Sequence, residues 1–407
     1  MTTPRSTQRS SLIIIFTTVF VDLLGFGIVL PLLPYYAHQW QASGLTAGAL
    51  IAVYSAMQFI AAPWWGRLSD RIGRRPVLLV SLAGSTLSYL LFALAQNIEW
   101  FFVSRILAGL AGANISVAQA FIADTTSEQE RARGMGLIGA AFGLGFVFGP
   151  VIGGLLAPYG HAAPGFAATI ICGINFVAAL FRLPESLPPE QRHTRAASHP
   201  LAQLRDALRR PQLRLPLLVF TAVVFSFATM ETTLSLLCAS RFHLSATQIY
   251  WLFGYLGLMT TLVQGGLIGR LTPRMDERHL VVVGTALLAV GLGATPFTSP
   301  VAPLLIALGA VACGQGISSP VLSSLISKSS SAHEQGGVLG ISQSAGSLAR
   351  ILGPLWGGLV FDFAGPTGPY VSTAIVMLAA FAVALSYAQH AHAAAQSSPE
   401  LTPTVRG

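Results

Sequence analysis

The chain has 407 residues, of which 53% are hydrophobic and only 9% charged, with a formal net charge of +8. An ordinary soluble domain carries roughly 25% charged residues, so this composition excludes one: there is too little charge to cover a folded surface in water. The apolar runs are continuous and do not alternate in the ~10-residue segments of a membrane barrel, which leaves a polytopic helical membrane protein, the other architecture that satisfies its backbone in lipid.

Arg5 and Arg9 precede the first apolar run, 12–33. That run is too long for a signal peptide and no small-residue cleavage site follows it, so it reads as a retained first helix. Further runs close to the ~20 residues needed to cross hydrocarbon lie at 50–65, 77–95, 100–122, 134–156 and 165–183. A polar, proline-containing stretch, 184–214, then divides the chain near its middle; it carries Glu185, Glu190, Arg192, Arg205, Asp206 and Arg214, with an amphipathic helix expected at 201–208. The second half repeats the rhythm at 215–237, 249–268, 280–296, 303–323, 336–361 and 370–387. An Ala-, Ser- and Pro-rich tail, 391–407, is expected to be disordered. The fold class is therefore an all-α membrane protein with twelve transmembrane helices in two pseudo-symmetric six-helix bundles, 1–183 and 215–390, joined by the linker 184–214.

The three cysteines, Cys172, Cys238 and Cys313, are odd in number and show no Cys-x-x-Cys, so they read as small core residues. Residues 66–76 hold Arg67, Arg71, Arg74 and Arg75 with Asp70 between two apolar runs. Alternate loops also hold Arg131, Arg133, the linker arginines, Arg270, Arg274, Arg278 and Lys328, while the opposite loops hold little beyond Arg241. Positive charge stays on the cytoplasmic side of a membrane, so both termini and the linker are expected there, and the net charge reads as topology and not as a nucleic-acid footprint. The halves also match internally: Gly66-Arg67-Leu68 recurs as Gly269-Arg270-Leu271, and Gly149-Pro150 with Gly153-Gly154 recurs as Gly353-Pro354 with Gly357-Gly358. Two motifs recurring at nearly one offset indicate parallel repeats that rock about a central site.

Gly66-x-x-x-Asp70-Arg71-x-Gly73-Arg74-Arg75 resembles the loop signature of the major facilitator superfamily, and Gly145-x-x-x-Gly149-Pro150-x-x-Gly153-Gly154 resembles that of its drug/proton antiporters. Asp22-x-x-Gly25-x-Gly27-x-x-x-Pro31-x-x-Pro34 and Arg105-x-x-x-Gly109-x-x-Gly112 are similar to further signatures of that branch, and the first 160 residues are most similar to the tetracycline efflux pumps. Independently of the resemblance, Arg71, Arg74 and Arg75 can pair with Asp124 or with lipid phosphate, and Gly66, Asp70, Arg71, Arg74 and Asp124 form the candidate cytoplasmic gate; the resemblance itself implies that Asp70 docks on the eleventh helix and latches the cytoplasmic side in the outward-open state. Without it, the loop reads as a plain positive-inside anchor in which Gly66 and Gly73 turn the backbone and Asp70 caps a helix N-terminus. Gly145, Gly149, Gly153 and Gly154 fall on one helix face, where small residues allow close approach and Pro150 bends the helix, either as ordinary packing or as a pivot between the halves.

Asp22, Arg105, Glu231 and Arg350 lie within spans, where a charge costs a few kcal/mol or more unless it meets a cavity or a partner. Pairing Asp22 with Arg105 and Glu231 with Arg350 would leave each carboxylate able to exchange a proton; the bland alternative is two static buried ion pairs. Gln58, Asn114, Gln119, Gln264 and Gln315, with Tyr54 and Tyr89, are the polar candidates for the substrate cavity, or else interhelical hydrogen-bonding groups. The histidines show no metal-ligand spacing.

The tetracycline pumps that the chain resembles carry an acid in the third helix just before a tyrosine and another in the ninth; here Ser88 precedes Tyr89, and 280–296 holds no acid. A metal-chelated tetracycline favours carboxylate partners, so a broader amphipathic substrate fits better. The function read from the sequence is proton-coupled efflux of small amphipathic compounds by alternating access. A proton symporter or facilitator for a sugar or metabolite is one alternative and a tetracycline-specific antiporter another. There is no phosphate-binding loop, so no cofactor is expected beyond a proton gradient, and no enzyme-like cluster of catalytic groups is seen. The expected setting is the bacterial inner membrane, with a small-molecule substrate and membrane lipid as partners, no nucleic acid, and a monomer as the working unit.

Overall fold

A computed structural model of the chain describes residues 5–126, 128–192, 204–205, 209–299, 301–329 and 335–397. Its long helices are α1 (Leu12–Gln39), α2 (Gly44–Ile72), α3 (Arg74–Ala93), α4 (Ile98–Thr125), α5 (Gly134–Tyr159), α6 (Ala162–Arg182), α7 (Gln212–Arg241), α8 (Ala246–Leu271), α9 (Glu277–Phe297), α10 (Val301–Lys328), α11 (Gln335–Ala364) and α12 (Gly368–Ser397). Eleven of them are long and apolar enough to cross a membrane. The exception to that measure is α11, which is 30 residues long but diluted by Gln343, Arg350, Asp362 and a series of serines and glycines. It nonetheless packs against α2 and α7 like its neighbours, so length and packing keep it in the bundle where hydropathy alone misses it. Most of the helix expected at 201–208 lies outside the described residues. The last helix runs on to Ser397, into the stretch expected to be a tail, because its run of alanines after His390 has high helix propensity.

Several helices are interrupted, and at two of the breaks the backbone carbonyls are used by another helix, as the absence of water in lipid requires. Pro31 breaks α1, and Ser235 Oγ of α7 donates to the Pro31 carbonyl at 3.1 Å. A 3-10 turn at Gly112–Asn114 breaks α4. Around that turn Trp65 Nε1 donates to the Leu110 carbonyl at 2.6 Å, Ser81 Oγ to Ala111 at 2.5 Å, and Gln58 Nε2 to Gly112 at 2.8 Å. A π-helical turn at Val263–Leu267 interrupts α8.

The helix neighbours form two copies of one pattern. In the first half α1 packs on α5 and α6, α2 on α4, and α3 on α4 and α6; in the second α7 packs on α11 and α12, α8 on α10, and α9 on α10 and α12. Each pair maps onto its counterpart when the halves are exchanged. The seam between halves obeys the same exchange, with α2 against α11 and α8 against α5. Large side chains such as Phe181, Val290 and Ile306 remain exposed on the outside of the bundles, the surface that lipid tails would cover.

Candidate functional site

The two halves meet closely at one end and stand apart at the other. At the end away from the 66–76 turn, Tyr250 of α8 donates its hydroxyl to the Ile28 carbonyl of α1 at 2.6 Å. There a Cβ on Gly154 would lie 3.0 Å from Tyr250 Cβ, and one on Gly48 would lie 2.9 Å from the Pro354 carbonyl carbon. At the arginine-rich end, a Cβ added to Gly66, Gly136, Gly139, Gly265, Gly269 or Gly340 would meet nothing within 4 Å. Among the described residues, the space between the halves is thus closed at one face and open at the arginine-rich face.

Deep in this space lie the charged residues of the spans. Asp22 is half-buried, with the side chains of Ser85 (α3) and Asn114 (α4) within hydrogen-bonding reach of its carboxylate. The 3-10 turn of α4 is what brings Asn114 there, since it ends at that residue. Tyr89 covers Gly25, where a Cβ would lie 2.7 Å from its ring, and donates its hydroxyl to the Asp22 carbonyl at 3.5 Å. Tyr54 packs its ring 5.0 Å from that of Phe26, and its hydroxyl accepts from Gln58 at 3.5 Å. That hydroxyl sits in the field of Asp22, Arg105 and Arg350 together, so it joins the charged groups of both halves.

The ion pairs expected from the sequence are not made. Arg105 is only 1% exposed and makes no salt bridge with Asp22. Its guanidinium lies 5.9 Å from the Tyr89 ring centre and 5.8 Å from that of Phe92, donates to Ser104 Oγ at 3.2 Å, and leaves Nε without a partner among the described residues. Aromatic faces take the place of a carboxylate here. Glu231 and Arg350 are each other's nearest opposite charge yet do not touch; Arg350 donates to Ser347 Oγ at 3.2 Å on its own helix. Asp22, Glu231 and Arg350 are therefore half-buried charges with no ion-pair partner among the described residues. Unpaired charge at such depth is tolerated where water reaches it.

Of the other cavity candidates, Gln58 is bound to the α4 break, Asn114 is 4% exposed beside Asp22, and Gln119 is half-buried. Gln264 is exposed within the π-turn of α8, and Gln315 is half-buried with its Oε1 lacking a partner among the described residues. Ser88 is buried and bonds to the Ser85 carbonyl at 2.7 Å.

The glycine-rich face of α5 divides its work. Gly145 and Gly149 pack on α1 within the same half, at Leu23 and Gly27, whereas Gly153 and Gly154 pack on Tyr250 across the seam. The second half mirrors this: Gly353 and Gly357 pack on Phe225, Thr229 and Thr233 of α7, and Gly358 crosses to Gly44 of α2.

At the arginine-rich face Arg74 is 7% exposed and ties the turn together. Its Nη1 lies 2.6 Å from Asp70 Oδ1 and 2.6 Å from Ser69 Oγ, and its Nε 3.1 Å from Asp124 Oδ2. Asp70 thus stands inside α2 bound to Arg74; among the described residues it caps no helix and makes no hydrogen bond or ion pair with α11. The cap on α3 comes instead from Glu185, just after α6, whose carboxylate accepts the N–H groups of Arg74 at 2.8 Å and Arg75 at 3.3 Å, with Ser186 Oγ donating to Asp124 at 3.1 Å. The sequence places Glu185 in the linker, just after the Arg182 end of α6 and 111 residues from Arg74, so nothing local marks it as a cap.

Comparison with known proteins places these features in company. The family model described as Major Facilitator Superfamily matches residues 15–274 and 238–404. The chain is 35% identical over 355 residues to "Tetracycline resistance protein, class C" of Escherichia coli, covering 86% of this chain and 89% of that protein. It is 30% identical over 366 residues to "Multidrug resistance protein 2" of Bacillus subtilis (strain 168), covering 87% and 90%. Among solved structures, that of the human organic anion transporter MFSD10 superposes with a TM-score of 0.70 at 28% identity, covering 94% of this chain and 100% of that one.

Proposed function

We propose a function from one premise: the chain belongs to the Major Facilitator Superfamily. It is a multi-pass membrane transporter, and the reading it supports is proton-coupled efflux of small amphipathic, drug-like compounds by alternating access. The observation that carries it is the set of charges without an ion-pair partner among the described residues, Asp22 and Arg350 about Tyr54 and Glu231 beside Arg350, in a space open at one face only. A carboxylate free of a fixed counter-ion can release a proton when substrate arrives and regain it when substrate leaves.

Orientation follows from the arginines. With Arg67, Arg71, Arg74 and Arg75 on the cytoplasmic side, the open face is cytoplasmic, the termini are cytoplasmic, and this conformation is inward-open. A bacterial inner membrane is the setting in which a proton gradient would drive export. The tetracycline-specific alternative is less favoured although relatives carry that name: Ser88 is buried away from open space, α9 holds no acid beyond its first turn, and the described residues include no group of three or more His, Cys, Asp or Glu that could hold a metal.

Inverted vesicles from an expressing strain test the reading. When respiration acidifies their lumen they should accumulate a fluorescent amphipathic dye, and collapsing the pH difference should release it. Dye uptake no greater than in vesicles lacking the protein would sink the proposal.

A further inference from the structure

We propose that Asp362, at the outer end of α11, is the latch that holds the outer side shut in the inward-open state. Its two carboxylate oxygens accept the backbone N–H groups of Gly44 at 2.6 Å and Leu45 at 2.9 Å. Those are the first residues of α2, in the other half of the protein. The first turn of a helix leaves N–H groups with no partner in the helix. Ser43 Oγ takes the one from Thr46 at 3.1 Å, so Asp362 completes from across the seam a cap that α2 has only in part. The carboxylate also meets the positive end of the helix dipole, and hydrogen bonds to an ionised acceptor are about twice as strong as neutral ones.

The packing beneath it brings the two backbones into register. A Cβ on Gly44 would lie 2.8 Å from the Gly358 carbonyl oxygen and 2.9 Å from Asp362 Oδ1, and one on Gly358 would lie 2.9 Å from Leu45 Cα. Glycine on both sides lets the helices touch backbone to backbone, which carries the α2 terminus to the carboxylate. The counterpart seam, between the end of α5 and the start of α8, has the glycines but no such acid. There α8 is capped by its own Ser245 and Gln248 in a reciprocal capping box. The halves are alike in packing and unlike in this bond, so the outer closure is pinned on one seam.

This inference rests on the alternating-access reading, in which the outer side opens once per cycle and the Asp362 bonds must break. Asp362 belongs to neither the central charges nor the arginine-rich gate; it is a positioning residue that weights the inward-open state.

The test uses the full-length protein in lipid nanodiscs with spin labels at Glu99→Cys and Phe297→Cys, exposed outer positions on opposite halves. Cys313→Ala is included, while Cys172 and Cys238 are buried. The unmodified latch should give a narrow, short distance distribution. Asp362→Ala should raise the long-distance, outer-open population about tenfold, and Asp362→Asn, which keeps an acceptor but loses the charge, should fall between. Distributions unchanged in both variants would overturn the latch, and Asp362→Asn decides alone if Asp362→Ala does not fold. Proton-driven uptake measured on the same preparations separates the two claims. An inactive parent would remove the transport reading, while the distance measurement would still report whether Asp362 closes the outer seam.

Discussion

Gly149 of α5 crosses Gly27 of α1 so closely that a Cβ on Gly149 would lie 2.7 Å from the Gly27 Cα and 2.9 Å from the Ile28 nitrogen. Backbone cannot yield as a flexible side chain can, so Gly149→Ala should cost about 1–3 kcal/mol. The mirrored Gly353→Ala, whose Cβ would lie 2.7 Å from the Phe225 carbonyl oxygen, should cost a similar amount. Both should lower the melting temperature of purified protein followed by tryptophan fluorescence. Gly139→Ala, which meets nothing within 4 Å, should leave it unchanged. Equal melting of all three variants would show that these crossings do not hold the bundles.

Gly66 offers the opposite case. A Cβ there would meet nothing within 4 Å, so Gly66→Leu should not destabilise the protein in this arrangement. Yet the arginine-rich face must close for the outer side to open, and the leucine would then stand in the closing gap. Melting temperature should stay within error of the parent while the maximal uptake rate in vesicles falls roughly tenfold or more, the scale of about 1.4 kcal/mol or more added to the closed state. Unimpaired uptake would mean that the 66–76 turn stays clear of the seam throughout the cycle.

What could be read from the chain alone follows from how local each signal is. Apolar runs of span length and the arginine pattern are local, and they disclosed the helices and the two repeats; the matching neighbour pattern of α1–α6 and α7–α12 is the same symmetry in three dimensions. Asp22 and Asn114 were recognisable as polar groups in apolar runs, and they lie together. The expected pairing of Asp22 with Arg105 is not made, and the sequence could not say so because sequence separation carries no distance: Arg105 rests on the Tyr89 and Phe92 rings instead. Glu185 and Asp362 went unseen for the same reason, since each acts on the start of a helix more than a hundred residues away. The breaks in α4 and α8 fall at Gly112 and Gly265–Gly266, where glycine only weakens a helix and does not say whether the chain will bend.

Arg74 carries the basic turn by contact with Asp70, Ser69 and Asp124 at once. Arg74→Ala should destabilise the protein by about 2 kcal/mol. That lies below the ~3–5 of a fully buried pair because both carboxylates keep part of their hydration. Asp124 would retain only Ser186 among these contacts, so Arg74→Ala with Asp124→Ala should cost less than the sum of the single changes by more than about 0.5 kcal/mol. Additive costs in thermal unfolding would show that the two residues do not act as one unit.

Glu231 provides the sharpest separation of coupling from binding. Glutamine has nearly the same shape but carries no carboxyl proton to exchange, and Glu231 makes no salt bridge among the described residues that the change would remove. Glu231→Gln vesicles should therefore still equilibrate a dye down its own gradient but should fail to accumulate it against one when the lumen is acidified. Glu99→Gln, an exposed acid at the start of α4, should behave as the parent. The ratio of driven to passive uptake, measured at matched protein levels, reads the difference directly: the parent ratio should exceed one and that of Glu231→Gln should fall to one. A ratio equal to the parent's would assign the proton to Asp22 and leave Glu231 as a contact for substrate.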